Sequence, residues 1–511
     1  MTVTVDIGPV SFDDVVAVAR RDAQVAISDD AAAAIDASRG TIEALANERT
    51  PVYGVSTGFG ALATRHIPQE RRTQLQRSLI RSHAAGAGPE VEREVVRAMM
   101  LLRLSTLASG RTGVRRGTAQ AYADLISAGL TPLVHEYGSL GCSGDLAPLA
   151  HVALALMGEG WVRTRTGEMV RSADALAAHG LTPVTLAEKE GLALINGTDG
   201  MLGQLVLALT DLDDLLRLAD VAAAMSVEGQ LGTDRVFADD LQRLRPHPGQ
   251  AVAAANMTRL LADSAIVASH RTPDCTRVQD AYSLRCSPQV AGAARDTAAH
   301  ARTVAERELA SVIDNPVVTL DGRVESNGNF HGAPVAHVLD FLAIVVADVA
   351  SISERRTDRF LDVNRSHGLN PFLADDPGVD SGHMIAQYTQ AGIVSELKRL
   401  ANPASTDSIP SSAMQEDHVS MGWSAARKLR RAVDGLNTVL AIEVLTAARG
   451  IDMRRPLTPS PGTGAVIATL REHVDGPGPD RFLAPEIAAV VRLAQSGELV
   501  RAAEGAVGPL P

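Results

Sequence analysis

Aromatic side chains are scarce in this chain: two Trp, five Tyr and eight Phe among 511 residues. Since 45% of the residues are apolar, the core must be built mainly from Ala, Leu and Val, which favours helices packed closely through small side chains. Cysteine is rarer still. Cys142, Cys275 and Cys286 are the whole complement and form no Cys-x-x-Cys pair. This excludes a disulfide framework and points to a reducing, cytoplasmic setting. None of the 14 histidines stands in a His-Glu-x-x-His pattern, so no metal is expected. Long basic runs are missing and the net charge is -12, which argues against nucleic acid as a partner. Long apolar runs are missing too. The most apolar stretch, Phe341 to Ala350, is short and contains Asp348, so a buried helix is expected there rather than a membrane span. The opening MTVTVDIGPV has neither a basic segment nor an apolar one, and no secretory leader is expected.

What the chain does contain is length and helical periodicity. At 511 residues it can bury a large core with more than one structural region. Up to about residue 195 short helical stretches alternate with Gly-rich turns, at residues 53–60, 86–88 and 138–144. Beyond that, Leu205, Ala208, Leu209, Leu212, Leu215, Leu216 and Ala219 follow the i, i+3, i+4, i+7 spacing of an amphipathic helix. Further helices are predicted over about 291–313, 334–360, 380–401 and 417–449, with a shorter set from Pro485. Asp314-Asn315-Pro316 ends one of them, and 402–412 is a Pro- and Ser-rich loop. The expectation is a mainly α protein: a loop-rich mixed region over 1–195, then a long-helix bundle with C-terminal helices over 196–511.

The densest chemical signal is Cys142-Ser143-Gly144-Asp145. Ser-Gly before a helix is ordinarily a capping turn. It also permits a reaction of the backbone: Gly144 has no Cβ, so its nitrogen can reach the carbonyl carbon of residue 142 at little steric cost. Ring closure with loss of two waters converts Ser143 into a methylidene carbon. No ordinary side chain supplies such a carbon electrophile, and expelling an amine from an unactivated amino acid needs one.

The surrounding GSLGCSGDLAPLAH resembles the signature of the aromatic amino acid ammonia-lyases, which carry 4-methylidene-imidazole-5-one (MIO) formed from Ala-Ser-Gly. Here Cys142 replaces the alanine. Residue 142 gives the ring only its Cα and carbonyl carbon, so the replacement leaves cyclisation open. Motifs from Tyr53 to Met421 follow in family order. The resemblance implies the mainly α fold with the MIO loop in its N-terminal region, and residue roles as follows. Tyr53, in YGVSTGFG, is the base for the β-proton; an unperturbed phenol, with a pKa of about 10, needs assistance for that role. Ser82-His83, in RSHAAGAG, reads the substrate ring, and the pair is similar to the histidine-specific branch. Asn196, in ALINGTDG, contacts substrate or MIO, with Asp199 where relatives often have Gln. In QDAYSLRCSPQ, Arg285 holds the substrate carboxylate, a contact suited to a planar guanidinium; Gln279 supports it and Tyr282 is counted among the catalytic residues. Phe330, in NFHG, packs near the MIO ring. Glu416, in QEDHVSM, again is similar to the histidine-specific branch, and Met414 stands where relatives often carry Asn.

The implied activity is elimination of ammonia from L-histidine to give trans-urocanate, the first step of histidine degradation, in a cytoplasmic homotetramer whose subunits share sites. The nearest alternative is a lyase or aminomutase acting on tyrosine or phenylalanine. Gly54-Val55-Ser56-Thr57-Gly58 also spells the hydrolase nucleophile elbow, but the long helices downstream do not supply its α/β frame. A helical assembly protein without catalysis and a fumarase-type lyase are the remaining rivals; the latter lacks its Gly-Ser-Ser-x-x-Met-Pro loop here.

Overall fold

The computed structural model describes residues 1–46, 57–58, 67–273, 275 and 278–511. Among them are twenty α-helices and a few strands of at most four residues, so the chain is mainly α. The Leu205–Ala219 stripe lies in a helix over Asp199–Gly229. The other expected helices occur at Ser287–Leu309, Ala333–Leu361, Met384–Leu400 and Gly422–Asp452. Pro461–Arg471, Leu483–Gln495 and Glu498–Val507 follow. Phe341 and Ile344 are each 46% exposed, so the apolar Ala333–Leu361 helix is not wholly buried there.

Two helix boundaries depart from expectation because tertiary partners take the chain. The helix expected to reach 313 stops at Leu309; the Ile313 carbonyl accepts from Arg103 Nη2 at 2.9 Å, and Lys189 binds Asp314. The helix expected from 417 begins at Gly422. Ser420 donates its hydroxyl to the Gly141 carbonyl at 3.1 Å, and Met421 has φ of 55°.

The residues group into two compact units: Met1–Leu207 with Arg302–Asp340 and Pro403–Arg427, and Ala208–Ala301 with Phe341–Asn402 and Lys428–Pro511. The expected break near residue 195 falls inside the opening run of the first unit.

Every described strand belongs to the first unit. Thr2–Val5 pairs in parallel with Gln24–Ile27, and Ala87–Glu90 pairs antiparallel with His135–Tyr137. The centre of this unit is the Arg93–Ala108 helix, buried at 13 of its 16 positions. Two of those positions are arginines, and a buried guanidinium needs partners. Arg97 donates to the carbonyls of Val18 and Ile126, and Arg103 to those of Asn196 and Ile313. The second unit has helices joined by loops and no named strand among its described residues. One of its buried carboxylates, Glu443, takes two bonds from Arg356 and one each from Ser226 and Ser353, the hydroxyls at 2.6 Å.

Candidate active site

The tripeptide 142–144 follows one glycine in the left-handed region, Gly141 at φ 69°, and ends in another, Gly144 at φ 75°. Neither tolerates a side chain. A Cβ on Gly144 would lie 2.0 Å from the Gly197 oxygen, and one on Gly141 would lie 2.2 Å from Ser420 Oγ. The next residue, Asp145, occupies the N-cap position of the Leu146–Leu156 helix, yet its side chain does not cap that helix. Its Oδ2 instead accepts the N–H of Met201 at 2.8 Å, in the first turn of Asp199–Gly229, where an orphan donor needs an acceptor. Its own N–H donates to Gly197 O at 2.7 Å, and Ser139 Oγ donates to Oδ1 at 3.0 Å. Two helix beginnings thus meet at Asp145, the residue that closes the turn. Burial pushes the Asp145 carboxyl up to about 7, against the pull of these donors.

A cavity of about 520 Å³ opens at the tripeptide, lined by Cys142, Ser143, Asn315, Phe330, His331 and Glu416. Four of the residues singled out in sequence therefore meet there. Burial pushes the Cys142 thiol up to about 12, and Glu416 pushes it in the same direction by its charge and by accepting the thiol proton. Cys142 is accordingly a neutral donor beside a carboxylate. Glu416 is held as well by Ser411, whose hydroxyl donates to Oε2 at 2.8 Å and whose backbone N–H donates to the Glu416 carbonyl at 2.9 Å. Between them Ser412, Ala413 and Met414 all have positive φ, at 50°, 53° and 69°. Such backbone is costly for residues with side chains.

Ser82 and His83 end the Arg72–His83 helix. The Leu79 carbonyl accepts from Ser82 Oγ at 3.0 Å and from His83 Nδ1 at 2.9 Å. A carbonyl only accepts, which assigns the proton to Nδ1 and leaves Nε2 an acceptor in the neutral ring. Burial lowers the pKa of His83, while the Leu79 carbonyl and the charge of Glu416 raise it. The ring therefore senses the carboxylate that lines the cavity.

Asn196 is 2% exposed and lies before Thr198, ahead of the helix that starts at Asp199. It does not cap that helix: its Nδ2 donates to the Asn315 carbonyl at 3.0 Å, and its buried Oδ1 has no partner among the described residues. Asp199 is buried 3.5 Å from Arg103 Nε, so this departure from the family pattern is accommodated by a charge partner.

Tyr53 lies outside the described residues. Gln279, Tyr282 and Arg285 belong to the second unit. There Gln279 lines a cavity of about 420 Å³ with Arg235, His270 and Arg271. Tyr282 is 71% exposed, and the Arg285 guanidinium stands 4.8 Å from its ring centroid. Arg285 Nε has no hydrogen-bond partner among the described residues. Sequence reasoning missed Arg103, the Lys189–Asp314 pair and Asn315. In sequence Asn315-Pro316 signals only a helix stop, although Asn315 lines the cavity and its carbonyl accepts from Asn196.

The sequence profile of the family described as aromatic amino acid lyase matches residues 10–472. The chain belongs to that family. Among the relatives of this aromatic amino acid lyase, a histidine ammonia-lyase of Streptomyces avermitilis is 65% identical over 510 residues, covering 100% of this chain and 99% of the relative. Two solved structures share its fold. A tyrosine aminomutase from Streptomyces globisporus superposes with a TM-score of 0.94 at 37% identity, with 100% of both chains covered. A histidine ammonia-lyase from Trypanosoma cruzi gives 0.91 at 38% identity, covering 99% of this lyase and 96% of that chain.

Proposed function

We propose that this chain is a carbon–nitrogen lyase that removes ammonia from L-histidine, giving trans-urocanate as the first step of histidine degradation. The observation that carries the substrate is the placement of Glu416 in one cavity with Ser143, within electrostatic reach of His83. Glu416 and the His83 Nε2 are both acceptors, so the ring they read must present N–H. A phenyl ring would leave them unpaired, at a cost of about 1–3 kcal/mol each. The 65% identity to a histidine ammonia-lyase supports the same assignment.

The residues fit an MIO group made from Cys142-Ser143-Gly144. The fit rests on Gly144, where Gly197 excludes any Cβ, and on the unpartnered Asn196 Oδ1 in the residue before Gly197. The group supplies an electrophilic carbon that makes the amine a better leaving group. The chain's own residues do the rest. Ser82, His83 and Glu416 orient the imidazole, and Phe330 closes the cavity wall. Arg285, supported by Gln279, binds the carboxylate. Tyr53 removes the β-proton, with Tyr282 beside the reacting carbons. Fixing base and carboxylate clamp in register supplies the orientation term. We place Gln279, Tyr282 and Arg285 in the site of a neighbouring subunit of a cytoplasmic homotetramer.

The test is incubation of purified protein with L-histidine, L-tyrosine and L-phenylalanine while product absorbance is followed, together with an intact mass. Urocanate formed from histidine, and a mass lower by two waters, is the expected result. Turnover of tyrosine alone would overturn the substrate, and a full-mass active chain would overturn the group.

A further inference from the structure

His151 ends the GSLGCSGDLAPLAH motif and has no part in the reaction as proposed. It lies in the Leu146–Leu156 helix, which opens directly after the tripeptide. Its Nε2 accepts the backbone N–H of Gly86 at 3.1 Å. Gly86 belongs to the loop that follows Ser82-His83.

Behind Gly86 the loop is tied to its own helix, Ala84 N–H donating to Ile80 O at 2.9 Å and Ala85 N–H to His83 O at 2.8 Å. The strand it leads into, Ala87–Glu90, is exposed at all four positions, so no buried side chain anchors it. From Gly86 onward its backbone is held by residues flanking Ser143 on both sides. On the near side, Ala87 pairs with Tyr137, and a Cβ on Gly138 would lie 3.2 Å from Gly86 Cα. His135 Nδ1 donates to the Gly88 carbonyl at 3.0 Å. On the far side stands His151, its ring edge-to-face with that of His135 at a centroid distance of 5.5 Å. The two imidazoles thus hold one donor in the loop, Gly86 N–H, and one acceptor in the strand that follows it, Gly88 O. The contact is close: a Cβ on Gly86 would meet His151 Nε2 at 3.0 Å, Tyr137 O at 3.2 Å and His135 Cβ at 3.3 Å. Burial, with the neighbouring His135, lowers the His151 pKa to about 4. The ring is therefore neutral in ordinary buffers and keeps the lone pair that Gly86 needs.

We infer that His151 is a positioning residue: from the helix behind the tripeptide it holds the Gly86 backbone, and through it sets where Ser82 and His83 meet the substrate ring. This rests on the proposed role of Ser82-His83 as ring readers. A purely structural histidine would contribute to folding without selectively affecting the substrate; a positioning histidine acts on KM and on discrimination between rings.

The experiment compares His151→Phe, His151→Gln and Gly86→Ala with the wild-type tetramer. Phenylalanine keeps a ring without an acceptor. Glutamine returns an acceptor close to the place of Nε2. Alanine at 86 keeps His151 but drives the loop off it. Expected is a fall in kcat/KM of roughly ten- to hundred-fold for His151→Phe, mainly through KM, and a similar fall for Gly86→Ala. His151→Gln recovers most of it, and every variant keeps the two-water mass deficit. Unchanged kcat/KM in Gly86→Ala overturns the inference, as does loss of the mass deficit in His151→Phe, which would place the residue in ring formation instead. If His151→Phe does not fold, the Gln and Gly86→Ala variants carry the decision. Kinetics use whichever of the three amino acids the wild type deaminates, so a wrong substrate shows in the wild type and a wrong role for His151 only in the variants.

Discussion

Asp145 and Met201 are joined by a hydrogen bond of 2.8 Å between a carboxylate oxygen and a backbone N–H, and it ties the start of one helix to the start of another. The same aspartate directly follows Gly144, so the turn that carries Ser143 is held by a group whose charge is expensive to bury.

That expense makes stability depend on pH. Burial raises the Asp145 carboxyl to about 7, whereas an unfolded aspartate titrates at about 3.9. Between these values the folded chain keeps a proton that the unfolded chain has lost. The contribution to stability is therefore full below about pH 4 and is lost as pH rises through 7. Relative to Asp145→Asn, the wild type loses up to about 4 kcal/mol across that window. Urea unfolding of both proteins at pH 4.5 and 7.5 measures it, and a difference independent of pH would contradict the assignment.

Gly144→Ala places a methyl group 2.0 Å from Gly197 O at a backbone φ of 75°. The turn must shift, and turnover is expected to fall by about a thousand-fold or more, equivalent to about 4 kcal/mol on the barrier. Initial rates with the intact mass check this; normal rates with the full two-water deficit would show that the close approach is unimportant.

Lys189 and Asp314 are both fully buried and bonded to each other at 2.5 Å. Lys189→Met strands the carboxylate, at a cost of about 3–5 kcal/mol of folding stability. Adding Asp314→Leu removes the stranded charge and recovers part of the loss. Equal unfolding midpoints for single variant and wild type would refute the pairing.

His83→Leu removes an acceptor for the ring, and Glu416→Gln keeps an acceptor oxygen but removes its charge. For Glu416→Gln a fall in kcat/KM for L-histidine of about 10- to 150-fold is expected, since a hydrogen bond to a charged group is worth about 1.5–3 kcal/mol; for His83→Leu, which loses a neutral acceptor worth about 0.5–1.5 kcal/mol, the fall is about 2- to 13-fold. The ratio of tyrosine to histidine turnover should rise in His83→Leu; a ratio that stays put would count against ring reading.

Cys142, with its thiol raised to about 12, is expected to resist iodoacetamide at pH 8, because the thiolate is the reactive form. Peptide mass mapping after native labelling reads this directly, and rapid alkylation at Cys142 would exclude the neutral donor beside Glu416.

The helices were legible because apolar periodicity is local: the stripe from Leu205 to Ala219 is enough to place the Asp199–Gly229 helix. The gathering of Cys142, Ser143, Phe330 and Glu416 in one cavity was legible only through resemblance, since their separations in sequence carry no distance information. Asn315 was hidden because Asn-Pro reads as punctuation. Its carbonyl acquires meaning only when Asn196 is seen to bind it. Likewise Asp145 reads as a helix opener, while the helix whose N–H it accepts begins more than fifty residues later.

Residue order alone decided the helical class, the Ser-Gly pair able to cyclise and the polar residues suited to an imidazole, because each depends on side-chain chemistry or short-range spacing. Folding decided which backbone groups those residues would serve. Long-range contacts ended one helix at Leu309, short of Ile313, turned the Asp145 side chain from its own helix to another, and set His151 against Gly86. The reason is that buried donors and acceptors must all be satisfied, and which partner satisfies them is a property of the packed interior that no local window of sequence contains.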